Sequence, residues 1–496
     1  MKNLRSLLHR TVPSLAFLLV FSPAMAFSEE GDDSNIYENC SSGELASIAK
    51  VWGFLKYYHP GFRRGKLDVD EFLFEGLNQI CREASEGVSS YFDKFVQRYS
   101  VYERVNTASG LEQLLSLGGE SGQRLQADLE TSQIPQWIYD DPNITLSARK
   151  SLLEVFGYSR ESNSFYNQID QSTHMSNFGN ESHYPNQGLT VELRILSLFR
   201  VWNAVEYYFP YKESIPGGWG GVLREVVFDF VSANSDALYI KAMQRLLVRM
   251  EDGHAAISED ENDLSRKIFG DKLAPVMVTY VDGKFWVKAV LRTASGAREE
   301  LAVGDSIQSV GGKSVTDIKR YLEQYASSSN QHFKNQVIAK YLTISNKDNV
   351  SLEVERNGET LKLTVETVDR SDHHRMQKSW AARSHGQVFN KGATLYLHLN
   401  AFSDVDYRKS FDQYQNIIMD LRGYPWEADN ADVMKYFLDQ GVPFAAIRFP
   451  SSTRPGSFST ETIARTLLKK EGSFEGSLFV LVDHNTLSAS DVVVQT

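Results

Sequence analysis

A chain of 496 residues, 42% hydrophobic and 23% charged, is long enough for several domains and apolar enough to build ordinary cores. Its formal net charge of -11, with no Lys/Arg run, argues against a nucleic-acid partner, because phosphate binding needs a basic face. Its two cysteines and the absence of a Cys/His cluster with ligand spacing argue against a metal site, and no cofactor is implied.

The chain opens with a basic stretch, Lys2, Arg5 and Arg10, followed by the short apolar run "VPSLAFLLVF" and a small-x-small site at Ala24–Ala26. Residues 1–26 read as a secretory signal peptide, with an N-terminal membrane anchor as the alternative. Phe27, not cysteine, follows the cut, so no lipoprotein anchor is expected. No later segment is long and apolar enough to span a bilayer. The mature chain is expected to be exported and soluble, periplasmic or secreted. In that setting Cys40 and Cys81 are a candidate disulfide, against the alternative of two buried thiols.

The first half contains an echo. "VWGFLKYYHP" at 51–60 returns as "VWNAVEYYFP" at 201–210, an offset of 150 residues. With "ELASIAK" and "RILSLFR" upstream, each copy reads as an amphipathic helix halted by proline. Two aromatic core helices are the preferred reading, and a ligand-binding aromatic face is the lesser one. Residues 27–190 form an N-terminal helical region whose part from 85 to 187 mixes helices with polar loops. Residues 191–265 form a second helical unit. It ends in "SDALYIKAMQRLLVRM" and then "EDGHAAI", where Gly253 is taken to mark the helix stop.

From about Lys272 the period becomes two. "APVMVTYVDGKFWVKAV" predicts a hairpin with a tight Asp-Gly turn, and "VSLEVERNGETLKLTVE" a second one through Asn-Gly. "LAVGDSIQSVGGKSV" lies between them, followed by a helix near 316–325. Residues 270–370 are expected to form a small, partly open barrel. Residues 375–496 then alternate strand and helix: "TLYLHL", "QNIIMDLRG", the helix "ADVMKYFLDQG", "PFAAIRF" and "SLFVLVD". This rhythm predicts a mostly parallel sheet with chemistry beyond the carboxyl ends of its strands.

A serine hydroxyl needs a base for its proton and N–H donors for the oxyanion. Ser488 sits where "LFVLVD" passes through a turn into the helix start Ser488-Ala489-Ser490-Asp491, and helix amides there can face an oxyanion. Taken alone, the motif is as consistent with an ordinary N-cap at Ser490 or Asp491. His254 in "EDGHAAI" is the candidate base, or a C-terminal histidine favoured by the helix dipole. His59, His484 and the pair His373–His374, in what reads as a polar linker, are taken as non-catalytic. The GxSxG elbow of α/β-hydrolases is absent around Ser488, which leaves an esterase of that fold without its signature.

Together, in this order, "VWGFLKYYHP"/"VWNAVEYYFP", "EDGHAAI", "LAVGDSIQSVGGKSV", "IIMDLRG" and "NTLSASD" resemble the C-terminal processing, or tail-specific, serine protease family in its tricorn-core-like branch. The resemblance implies a multidomain α+β chain: a helical region, a PDZ-like β-barrel at 270–370 and an α/β peptidase domain at 375–496. It implies Ser488 as nucleophile, His254 as base, and the Ala489 amide as one oxyanion donor. The second donor comes from the loop after Asp-Leu-Arg, here the backbone amide at Trp426. The PDZ-like region would take protein or peptide substrates through extended or C-terminal segments.

The sequence departs from the family in three places. Pro425 and Trp426 stand where glycines are usual, and Gly253 stands where tricorn carries serine. The glutamate or lysine that completes the site in the family lies downstream of the nucleophile, beyond Thr496, so the peptidase domain is read as incomplete at its C-terminal end. The alternative reading is a non-catalytic PDZ scaffold with a degenerate peptidase domain.

Overall fold

The structure, a computed structural model, describes residues 39–99, 134–157, 164–170, 174–184, 188–255, 257, 266, 269–291, 301–385, 388–398, 411–422, 437, 442–465, 474–483, 486 and 494. The expected signal peptide and most of the helix expected at 431–441 lie outside these residues.

The N-terminal part is helical. α1 (Ser42–Tyr58) starts at a capping box, in which Ser41 Oγ accepts from Glu44 N and Glu44 Oε2 accepts from Ser41 N. It is followed by α2 (Pro60–Arg63), α3 (Val69–Gly76), a π-helical turn (Leu77–Arg82), α4 (Val88–Tyr99), α5 (Trp137–Asp140) and α6 (Leu146–Gly157). A two-residue pair, β1 (Gln168–Ile169) and β2 (Ser176–Asn177), precedes α7 (Val191–Tyr208), α8 (Trp219–Val231) and α9 (Asp236–Val248). The proline stops hold, since α1 ends at Tyr58 before Pro60 and α7 at Tyr208 before Pro210.

The amphipathic expectation does not hold. Every residue of α1 from Leu45 to Tyr58 is buried, because α3, α6, α7 and α8 surround it. Such a helix is apolar around most of its circumference, and its two lysines are neutralised in place. Lys50 Nζ lies 3.1 Å from Asp141, and Lys56 Nζ lies 2.5 Å from Glu181 and 4.6 Å from the Trp52 ring centre. The repeated aromatics form one core, with Tyr57 edge-on to both Tyr207 and Tyr208. Cys40 and Cys81 are joined in a disulfide, with 5.1 Å between their Cα atoms. It ties the entry of α1 to the π-helical turn.

The next part is a β domain. β3 (Lys272–Leu273) pairs with β10 (Val368–Asp369). β4 (Val276–Val281), β5 (Lys284–Val290), β6 (Ser306–Val310), β8 (Asn349–Arg356) and β9 (Glu359–Glu366) form one antiparallel sheet in that order, and β7 (Lys313–Ser314) pairs with β6. Both hairpin turns are as expected: Asp282-Gly283 and Asn357-Gly358 have positive φ at all four positions. Two helices, α10 (Val315–Glu323) and α11 (Gln331–Tyr341), cover the sheet. The barrel expectation is corrected, because among the described residues the sheet stays open. α11 packs along β4, so no strand reaches that edge to close it. The expected linker at His373–His374 is instead the helix α12 (Arg370–His385), with His373 buried.

The C-terminal part has a four-stranded sheet ordered β11 (Val388–Lys391), β12 (Thr394–His398), β13 (Asn416–Asp420), β16 (Ser477–Leu481). β12–β13 and β13–β16 are parallel, and β11–β12 is antiparallel. "PFAAIRF" does not join it. That segment lies in β14 (Val442–Pro450), which pairs antiparallel with β15 (Phe458–Arg465) as a separate hairpin. The hairpin tip explains why: it is bonded to the helical part instead. Tyr58 Oη donates to Pro455 O (2.5 Å), Arg63 Nη2 to Ser452 O (2.9 Å), and Gly456 N to Tyr207 O (2.8 Å). Among the described residues no helix is long and apolar enough to cross a membrane.

Candidate active site

His254 lies in the turn that follows α9. That helix stops at Val248, earlier than Gly253, and the residue that reverses the chain is Glu251, in the left-handed region at φ 51°. Glycine is therefore not the stop signal. Gly253 has no positive φ, and a Cβ there would meet only Phe333 Cε1 of α11, in ordinary contact at 3.6 Å. Serine at 253 would fit, so that departure from the family is sterically neutral.

Asp252 builds the turn around the histidine. Its Oδ1 accepts from His254 N at 2.8 Å and lies 3.2 Å from His254 Nδ1. The hydrogen bond to Asp252 raises the imidazole above its ordinary pKa, and partial burial opposes the rise. A proton on Nδ1 facing Asp252 leaves Nε2 as the unprotonated nitrogen of the neutral ring, which is 45% exposed. The sequence reading passed over Asp252. The signal was there, since an aspartate two residues before a histidine can hold both its backbone N–H and its ring.

β13 and β16, the strands before the expected oxyanion and nucleophile segments, end side by side, Asp420 in register with Leu481. Asp420 is buried, and burial alone would raise its pKa. Arg422 more than offsets this, with Nε 2.9 Å from Oδ1 and Nη2 2.6 Å from Oδ2. Tyr396 Oη and the Arg422 backbone N–H also donate to this carboxylate, which is brought to about 2. Past the strand ends two further bonds tie the segments: Leu421 N donates to Leu481 O (2.9 Å), and Thr486 Oγ1 to Leu421 O (3.0 Å). Thr486 also closes its own turn, its N donating to Asp483 O and its Oγ1 accepting from Asp483 N, both at 3.0 Å.

His254 is the one expected acting residue that is described. Ser488, Ala489 and Trp426 lie outside the described residues, as do Ser490, Asp491 and His484. His59 is buried, with Nδ1 accepting from Gly61 N at 3.2 Å, and caps α2. Among the described residues no group of three or more His, Cys, Asp or Glu side chains could hold a metal ion.

Among curated proteins none matches the chain. Several solved structures are similar. Mature CPAF complexed with lactacystin is 12% identical, over 53% of this chain and 62% of that one, with a TM-score of 0.37. Mature CPAF is 11% identical, over 62% and 81%, at 0.43, and the tricorn protease 13%, over 61% and 28%, at 0.21. At these identities and TM-scores the likenesses carry no functional argument. Residues 271–385, which hold the open sheet with α10, α11 and α12, match the family model of the PDZ domain.

Proposed function

We propose that the chain is an exported serine endopeptidase of the tail-specific type, with Ser488 as nucleophile and His254 as base. The reaction is acyl transfer. Ser488 Oγ attacks a peptide carbonyl while His254 Nε2 takes its proton, and the proton then passes to the leaving amine. Amides at Ala489 and Trp426 hold the oxyanion. Asp252 keeps the imidazole in the required tautomer. The observation that carries the reading is the bond from Thr486 Oγ1 to Leu421 O. It fastens the turn two residues before Ser488 to the residue just past the end of β13, five positions before Trp426, which supports the two segments being neighbours.

The test is fluorophosphonate labelling and hydrolysis of a denatured protein by the purified chain, by Ser488→Ala, by His254→Ala and by the double variant. Labelling at Ser488 together with loss of turnover in both variants is expected, each loss about as large as the double variant's, because the pair acts as a unit. Labelling at Ser490, or turnover retained in Ser488→Ala, would overturn the assignment. A folded chain with neither labelling nor turnover would leave the non-catalytic PDZ scaffold as the reading to adopt.

A further inference from the structure

β4 is an edge strand: β5 pairs with one side of it and no strand of the sheet with the other. An edge of this kind is where an extended peptide adds to a sheet. Here the outward backbone groups of Tyr280 are already bonded. Gln336 of α11 accepts from Tyr280 N with Oε1 (3.2 Å) and donates to Tyr280 O with Nε2 (2.8 Å). One side-chain amide thus makes the two bonds that a residue of an added antiparallel strand would make with Tyr280. Thr279 Oγ1 donates to the same Oε1 at 3.1 Å, which holds the amide in this orientation. Four residues along, Val276 O bonds to His373 Nε2 of α12 at 2.9 Å. Side chains from two helices thus occupy the edge at Tyr280 and at Val276.

We propose that Gln336 is a surrogate strand, an autoinhibitory contact that closes the PDZ edge until an extended peptide displaces it. The inference rests on the reading of this domain as a peptide-capturing one. The competing ligand is an extended segment with apolar side chains at alternate positions. Val278 and Tyr280 of β4 and Val337 and Tyr341 of α11 are only partly buried and supply its apolar surroundings. The ligand gains little from backbone pairing unless the amide leaves, because each bond it makes replaces one already present. α11 also bears Phe333, whose ring lies beside Gly253, the residue before His254.

The experiment uses the full chain in a Ser488→Ala background, with and without Gln336→Ala. Amide hydrogen exchange at Tyr280 is measured together with the anisotropy of a fluorescein-labelled peptide of about ten residues with alternate valines. Slow Tyr280 exchange that becomes fast in the variant is expected, with peptide affinity rising about tenfold. Gln336→Leu, which keeps the approximate size but neither accepts from the Tyr280 N–H nor donates to its carbonyl, should act in the same direction and guards against a misfolded alanine variant. Unchanged Tyr280 exchange in both variants would overturn the surrogate-strand role. Faster exchange with no peptide bound by any version would keep the contact but overturn peptide capture, and with it the autoinhibition.

Discussion

Gly53 and Asn203 occupy the same position in the two copies of the repeat, and they meet face to face where α1 crosses α7. A Cβ on Gly53 would lie 1.8 Å from Asn203 Oδ1 and 2.0 Å from its Cγ. The space glycine leaves is filled by the asparagine, whose Nδ2 donates to Ala49 O (3.0 Å) and Phe199 O (2.9 Å). Gly53→Ala must expel that side chain and both its buried bonds. Overpacking and two lost bonds cost more than the helix propensity gained, for a net loss of about 2–3 kcal/mol. Denaturant unfolding checks this. Adding Asn203→Ala should recover part of the loss, and an alanine variant as stable as the parent would refute the close crossing.

The disulfide should matter to stability in proportion to the loop it closes. Cys40 and Cys81 are 41 residues apart, and closing a loop of that size in the unfolded chain is worth about 4 kcal/mol on the chain-entropy model. Cys81→Ala, or reduction of the parent, should lower the unfolding midpoint of the helical part, the β domain being changed far less. Equal midpoints for oxidised and reduced protein would contradict it.

Local signals carried the sequence reading well and non-local ones badly. The proline stops of the two repeat helices and the Asp-Gly and Asn-Gly hairpins are set by neighbours in the chain, and they appear where expected. What failed depended on distant partners. The full burial of α1 comes from the helices around it, the open edge of β4 from α11, and the separate hairpin at "PFAAIRF" from its anchorage on Tyr58 and Tyr207. A run of alternating apolar residues reads the same whether it joins a parallel sheet or folds on itself. At the candidate site the structure adds Asp252, whose bond to the His254 ring depends on a side-chain orientation that the motif does not state.

Acid stability should report Asp420. Its folded-state pKa, about 2, lies below the ordinary value for aspartate. The sign follows: the carboxylate contributes fully above about pH 4, and its contribution is lost as pH falls toward 2. Asp420 is buried but Arg422 is half exposed, so the contribution is discounted to roughly 2 kcal/mol. Asp420→Asn should lower stability at neutral pH by about that much and flatten the dependence between pH 4 and 2. An unchanged acid slope would remove Asp420 from the account.

The last prediction separates a positioning role for Asp252 from a merely structural one. The hydrogen bond from His254 favours the protonated imidazole, so its pKa is raised in the folded protein. The stabilisation this pair supplies is present below the unfolded pKa and is lost as pH rises through the folded one. A base must be neutral to act, so peptide hydrolysis should climb through that same raised pKa. Asp252→Asn keeps the size and an acceptor for the backbone N–H but removes the charge. The imidazole should then titrate at lower pH, which the His254 ring proton reports by NMR without any need for turnover. The acid limb of kcat/KM should shift down with it, while the maximal rate falls because the tautomer is no longer enforced. If the His254 titration stays in place, Asp252 does not set its charge, and the carboxylate that orients the base must come from elsewhere.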